Sequence, residues 1–77
     1  MILVRFFGAA REAVGAHAET RHETTVGGLR SGLVSDHPAL ATILGHCALL
    51  VDGSRRPDDH VLDQAVGVDV LPPFAGG

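Results

Sequence analysis

Apolar and polar residues alternate at both ends of the chain, which is the pattern of a strand with one buried face. The first such segment spans residues 1–7 and ends at Gly8, and the second spans residues 65–71. In the first segment Ile2, Val4 and Phe6 alternate with Leu3, Arg5 and Phe7, and in the second Val66, Val68 and Val70 are predicted to point inward. The sequence therefore predicts one strand at each end of a single domain.

A helical pattern follows in the middle of the chain. Val26, Leu29 and Leu33 are spaced to lie on one face of a helix, and Thr24 or Thr25 can cap its start. Proline is tolerated only in the first turn of a helix, so Pro38 marks a break or a restart. Beyond it, a second helical stretch presents Leu40, Ile43 and Leu44 inward.

Three further segments complete the predicted order of elements. Residues 9–15 indicate a short loop or helical turn, and residues 16–23 a second strand with poor apolar content. Residues 47–51 are continuously apolar and predict a buried strand, which a hairpin turn at Asp52 and Gly53 closes.

This order of elements defines the fold class. A β-β-α-β-(β)-β sequence predicts an α+β domain with a mixed sheet of four to five strands and helices packed on one face. Two hairpins joined by a helical crossover place the first and last strands side by side at the centre. That arrangement is the β-grasp fold. We expect residues 1–71 to form this domain and residues 72–77 to form an extended, flexible tail ending in Gly-Gly.

Composition narrows the class of partner and the compartment. The chain has 77 residues and a net charge of −3, which argues against nucleic acid and anionic membranes as main partners. Cys47 is the single cysteine, so a disulfide framework is excluded and a cytoplasmic location is expected. We also expect no signal peptide, because residue 1 enters a strand pattern directly. The spacing of the five histidines fits no metal-ligand motif.

The C-terminal segment carries the most specific signal. Its residues are Leu71, Pro72, Pro73, Phe74, Ala75, Gly76 and Gly77. The prolines forbid further helix or central strand, and the six residues after Leu71 span about 20 Å when extended. Glycine has no Cβ, so the terminal carboxylate can enter a channel too narrow for other residues. The pattern favours delivery of a carboxylate into a partner's active site, and the simpler alternative is a frayed terminus.

Three stretches carry a resemblance to a known family. Residues 4–15 read VRFFGAAREAVG, similar to an opening strand followed by an Ala-x-x-Arg-Glu-x-x-Gly loop. Residues 51–53 read Val-Asp-Gly where the family usually has a Val-Asn-Gly hairpin. Residues 72–77 are similar to the family's Pro-Pro-x-x-Gly-Gly end. On these residues the chain resembles the small subunit of molybdopterin synthase, in the MoaD/ThiS family of sulfur carriers. That family includes the thiamine-pathway carrier and is ubiquitin-like.

The resemblance implies a chemistry for Gly77. An ATP-dependent adenylyltransferase of the ubiquitin-activating type would convert its carboxylate to an acyl-adenylate. A sulfur donor protein, such as one bearing a persulfide, would then supply the sulfur that converts the acyl-adenylate at Gly77 to a thiocarboxylate. Inside the large subunit of a heterotetrameric synthase, this thiocarboxylate would pass sulfur to the pterin precursor of the molybdenum cofactor. The chain would bind no cofactor and would act as a non-catalytic sulfur-donor subunit.

The same resemblance implies which residues contact partners. Gly76 and Gly77 would carry the chemistry, and the predicted partner-binding residues are Leu71, Pro72, Pro73, Phe74, Ala75, Arg11 and Glu12. Phe74 either anchors in an apolar groove or folds back over the sheet edge. Arg11 and Glu12 either contact a partner or form an exposed pair that contributes little. Residues 65–68 replace the family's Gly-Asp-Glu-Val, which leaves Asp69 as the nearest acid.

Other functions share these features. The carrier could serve thiamine, cysteine or another sulfur metabolite, because the chemistry of the tail is common to all of them. The chain could also be a ubiquitin-like modifier that is joined through Gly77 to lysines on target proteins. A third alternative is an interaction module whose tail has no chemical role.

Overall fold

A computed structural model describes residues 1–63 and 66–73 of the chain. Five strands, two α-helices and two 3₁₀ helices are present in these residues. In chain order they are β1 (Ile2–Phe6), α1 (Gly8–Val14), β2 (Ala18–Arg21), α2 (Val26–Asp36), the 3₁₀ helices Pro38–Thr42 and Leu44–His46, β3 (Ala48–Val51), β4 (Ser54–Arg55) and β5 (Val66–Leu71).

The strands form one mixed sheet in the order β2-β1-β5-β3-β4. β1 and β5 pair in parallel at its centre, and the remaining neighbours pair antiparallel. The predicted adjacency of the first and last strands is therefore confirmed, and with it the β-grasp architecture. Since parallel neighbours run in the same direction, β1 and β5 leave the sheet at the same end.

Alternation along the two central strands builds the core, and Val68 and Val70 point inward as predicted. Ile2, Val4 and Phe6 of β1 are at most 1% exposed, and Val68 and Val70 of β5 are fully buried. The side chain of the third valine predicted inward in β5 lies outside what the structure describes. The helices contribute further buried leucines and a valine to the same core, namely Val26, Leu29, Leu33, Leu40 and Leu44.

The boundaries of α2 follow from its capping residue and from a proline. Thr25, one of the two predicted caps, accepts a hydrogen bond at its hydroxyl from the backbone N–H of Gly28 at 3.0 Å. The helix ends at Asp36, and Pro38 begins the first 3₁₀ helix. Proline cannot extend a helix from within, so the predicted break is confirmed.

Two segments differ in detail from their predictions. Residues 9–15, expected as a loop or single turn, belong almost entirely to α1, which Gly15 closes in a left-handed conformation. The strand predicted to be buried throughout is buried on one side only, because Leu49 and Val51 point inward while Leu50 lies on the other face. In the hairpin that follows, Asp52 has a φ of +48° and Gly53 one of +87°.

Over the described residues, no helix has the length and apolar character needed to cross a bilayer.

Candidate functional site

The candidate site is the end of the sheet from which the C-terminal segment leaves. Leu71 is the last residue of β5 and pairs with Ala48 of β3. Pro72 follows and is half-buried, whereas Pro73 is exposed. Because proline has no N–H to donate to a strand ladder, the sheet stops there. We call Leu71, Pro72 and Pro73 the tail root.

The rest of the predicted tail, Phe74, Ala75, Gly76 and Gly77, lies outside the described residues. The roles assigned to these residues therefore stay predictions, as does the domain boundary at residue 71.

The start of α1 lies directly beside the tail root. β1 ends at Phe6, and the backbone N–H of Phe7 still donates to the carbonyl of Val70 at 3.2 Å. Gly8 then turns the chain into α1 with a φ of +53°. A Cβ built on Gly8 would lie 3.7 Å from Cγ of Pro72. The first of the two prolines therefore packs against the strand-to-helix turn.

The sheet face opposite the core presents apolar side chains to solvent. Leu3 is 50% and Phe7 is 38% exposed. The strand register places further apolar residues on the same face, namely Ala18, Ala48, Leu50 and Leu71. We call these six residues the open face. Exposed apolar area of this kind suits a protein partner.

An ion pair lies in the middle of the open face. Arg5 of β1 and Asp69 of β5 are register partners, and the guanidinium donates two hydrogen bonds to the carboxylate, at 2.8 and 3.1 Å. Asp69 is the acid that the sequence left nearest to the tail. Because Arg5 already binds it in a bidentate manner, its charge is neutralised locally.

Arg11 and Glu12 are both exposed, as a partner-binding role requires. They lie on α1 rather than on the loop that the family pattern suggested. Nη1 of Arg11 lies 3.2 Å from Nδ1 of His17, which precedes β2. A guanidinium can only donate, so Nδ1 of His17 is the acceptor. This contact links α1 to the residue that precedes β2.

A cluster of ions lies at the other end of β2, and sequence reasoning missed it. The side chain of Arg21 is 10% exposed and contacts carboxylate oxygens of Glu19, Glu23 and Asp36 at 2.7, 2.6 and 2.7 Å. Its hydrogen bond to Glu23 raises the pKa of Arg21 and holds that of Glu23 below its usual range. Charged residues at the alternate positions 19, 21 and 23 could have indicated the cluster, because alternate residues of a strand share one face. We call these four residues the Arg21 cluster.

The remaining reactive side chain is Cys47. It is buried, its Sγ contacts the carbonyl oxygen of Ile43 at 3.3 Å, and burial raises the pKa of the thiol. A raised pKa disfavours the thiolate, which is the nucleophilic form. Within residues 1–63 and 66–73, no group of three or more His, Cys, Asp or Glu side chains could hold a metal ion.

This geometry defines a class of protein that exposes an apolar sheet face beside the proline-rich start of its C-terminal segment. The sheet gives the tail root a rigid base, and the open face adjoins it.

Comparison with known proteins agrees with this class. The sequence profile of the ThiS family matches residues 4–77. The chain therefore belongs to the ThiS family. No curated protein matches the chain significantly.

Solved structures with the same fold include, by name, a modifier protein and a complex of the molybdopterin-converting factor. Small archaeal modifier protein 1 from Methanosarcina acetivorans superimposes with a TM-score of 0.87 at 21% identity, covering 99% of this chain and 95% of that one. One chain in the complex of subunits 1 and 2 of the molybdopterin-converting factor from Helicobacter pylori gives a TM-score of 0.73 at 23% identity, covering 99% of this chain and 97% of that one. The HVO 2177 protein of Haloferax volcanii gives 0.77 at 30%, covering 99% and 85%.

Proposed function

We propose that the protein is a sulfur carrier and the small subunit of a molybdopterin synthase, which donates sulfur from a thiocarboxylate at Gly77. One observation carries the sulfur-carrier part of the proposal, and the complex from H. pylori supports the synthase part. The ThiS family match runs through Gly76 and Gly77, so family membership includes the tail as well as the folded body. The geometry of the tail root supports it, because a rigid sheet end holds the base of a segment that must reach into a partner.

The chemistry needs activation because a carboxylate is a poor electrophile. Its negative charge repels a nucleophile, and oxide is a bad leaving group. Attack of the Gly77 carboxylate on the α-phosphate of ATP forms an acyl-adenylate and releases pyrophosphate. Hydrosulfide then attacks the acyl carbon, and AMP leaves with the electron pair of the broken C–O bond. The product is a thiocarboxylate, whose anionic sulfur is a strong nucleophile.

The partner contacts would combine the open face with the tail. Leu71, Pro72 and Pro73 would line the entry, and Phe74 and Ala75 would follow them into the partner. Arg11 and Glu12 would contact the partner beside this entry. The H. pylori complex of two subunits supports such an assembly, because one of its components has the fold of this chain. The expected partners are a large synthase subunit, an adenylyltransferase and a sulfur donor protein.

A ubiquitin-like modifier is the second candidate. The observation in its favour is the likeness to small archaeal modifier protein 1, with a TM-score of 0.87. A carrier for thiamine, cysteine or another sulfur metabolite is the third, favoured by the family profile itself. All three use an activated Gly77 and differ in the nucleophile or acceptor that follows.

The first test is the intact mass of an untagged chain ending at Gly77. The chain is incubated with ATP, sodium sulfide and each of several ubiquitin-activating-type adenylyltransferases. We expect the mass gain of one sulfur-for-oxygen exchange, and no gain when Gly77 is deleted. The deletion is a clean control because it leaves residues 1–73 unchanged. Absence of the gain with every enzyme would refute carrier chemistry.

The acceptor is identified in a second step. The thiocarboxylated chain is mixed with a molybdopterin synthase large subunit and the pterin precursor, and the dithiolene product is measured. Formation of that product establishes the synthase role. Lysine conjugates in a cell extract, with no dithiolene product, would instead establish the modifier.

A further inference from the structure

We infer that Gly8 is a positioning residue for the C-terminal tail and acts through its contact with Pro72. This inference rests on the proposed function, because a tail needs a fixed starting direction only if it is delivered to a partner. The claim concerns the path of the chain at the tail root and involves no new chemistry at Gly8.

The topology places these two residues together. β1 and β5 are parallel neighbours, so both chains leave the sheet at the same end. The last bond between the two paths is the 3.2 Å hydrogen bond from the Phe7 N–H to the Val70 carbonyl. One residue later, β1 turns away at Gly8, and two residues later β5 becomes the tail at Pro72. The tail therefore starts against the turn that begins α1.

The backbone conformation of this turn requires glycine, and the turn packs against the tail root. A φ of +53° is left-handed, and an L-residue with a Cβ is strained there. The position that a Cβ would occupy lies 3.7 Å from Cγ of Pro72, which is ordinary van der Waals contact, so alanine fits the space and any shift of the strained turn is passed to the ring. The ring also fixes φ of Pro72, so displacing it redirects the chain that follows.

Gly15 provides a matched control in the same helix. It closes α1 with a φ of +82°, so alanine there suffers a comparable backbone strain. Nothing lies within 4 Å of its virtual Cβ, and it does not contact the tail root. Gly8→Ala and Gly15→Ala should therefore lose similar stability in urea unfolding, while only Gly8→Ala disturbs Pro72.

The kinetic test uses the adenylyltransferase that gives the sulfur mass gain with the wild-type chain. We expect kcat/KM for adenylation of Gly8→Ala to fall by roughly tenfold to a hundredfold, with most of the loss in kcat, because a misplaced reacting group slows the chemical step. Gly15→Ala should keep the wild-type value. Equal kcat/KM for the two folded variants would overturn the inference. If Gly8→Ala does not fold, Gly8→Asn replaces it, because asparagine tolerates the left-handed region.

A second measurement decides the inference without any partner. In the wild-type chain, NMR should show a nuclear Overhauser contact between Hα of Gly8 and Hγ of Pro72. Gly8→Ala should shift the resonances of residues 72–77, and Gly15→Ala should leave them unchanged. A missing contact, or identical tail spectra in both variants, overturns the role of Gly8. Failure of every adenylyltransferase with the wild-type chain overturns only the proposed function, since the NMR result still stands.

Discussion

The centre of the sheet and its β2 edge are stabilised by different interactions. At the centre, the inward side chains of β1 and the described ones of β5 are aliphatic or aromatic and almost fully buried. At the edge, the inward positions of β2 are Glu19 and Arg21, which belong to the Arg21 cluster. The centre gains stability from burial of apolar area, whereas the edge depends on charge-assisted hydrogen bonds.

The difference shows how a small sheet can protect its edge strand from pairing with another chain. Inward-pointing charges on β2 discourage pairing with another chain, because such pairing would have to desolvate them. The neighbouring helix makes room for the ions at Gly32, where a Cβ would collide with the carboxylate of Glu23. His37, which follows α2, also contacts Glu19 at 2.8 Å. The edge is therefore specific in geometry although it is polar in composition.

The largest expected loss of stability comes from a substitution at the centre of the sheet. Phe6→Ala should lower the free energy of unfolding by about 3–5 kcal/mol, because it leaves a cavity in the core. Leu3→Ala is the control on the same strand, since Leu3 is 50% exposed on the open face. Urea unfolding followed by far-ultraviolet circular dichroism measures both, as the chain lacks tryptophan and tyrosine. Equal losses would contradict the assignment of the two faces.

The next largest loss of stability is expected from a substitution at the β2 edge. Arg21→Met leaves three carboxylates without their shared cation and should cost about 2–3 kcal/mol, less than a fully buried pair because the carboxylates remain partly exposed. Arg5→Met removes an exposed cross-strand pair and should cost at most about 1 kcal/mol. The same urea titration compares them. An Arg21→Met loss no larger than that of Arg5→Met would show that the Arg21 cluster contributes little.

Acid should weaken the edge before the centre. The pKa of Glu23 is lowered by its hydrogen bond to Arg21, so its contribution is present above the usual carboxyl pKa of about 4.3 and is lost as pH falls through the lowered value. Glu23→Gln should therefore be less stable than the wild-type chain at pH 7 and nearly equal to it in strong acid. Thermal unfolding from pH 7 to pH 2 measures the gap. If the difference in unfolding temperature between the two chains grew as the pH fell, the predicted pH dependence would be contradicted.

The smallest expected loss of stability comes from a substitution at Gly32, where α2 packs against the Arg21 cluster. Alanine is favoured over glycine inside a helix by about 1 kcal/mol, but a Cβ here would meet Glu23 and approach Nη2 of Arg21 to 2.7 Å. Overpacking costs about 1–3 kcal/mol, so Gly32→Ala should lose about 1 kcal/mol overall. Gly45→Ala, whose Cβ meets nothing within 4 Å, should be neutral or slightly stabilising. In an Arg21→Met background the Gly32→Ala loss should disappear, and its persistence would point to another cause.

Local signals predicted much of the fold. The β1 alternation and the Thr25 cap define their elements through short-range backbone preferences, and the structure confirms both. The segment around Arg21 was predicted as a strand, but its inward face carries charge, so hydrophobic alternation gave only a weak signal. At the candidate site, Leu71, Pro72 and Pro73 were found from their residue types alone. Gly8 was read only as the end of a strand.

The sequence by itself determined the α+β order, the central pairing of the end strands and the proline-rich start of the tail. These follow from periodicity, proline geometry and chain connectivity, which are local or topological properties. Only the tertiary structure showed that Pro72 packs on Gly8, that Arg5 binds Asp69 and that three acids surround Arg21. Each of these contacts joins residues from different elements, and their distances depend on how the helices and strands pack.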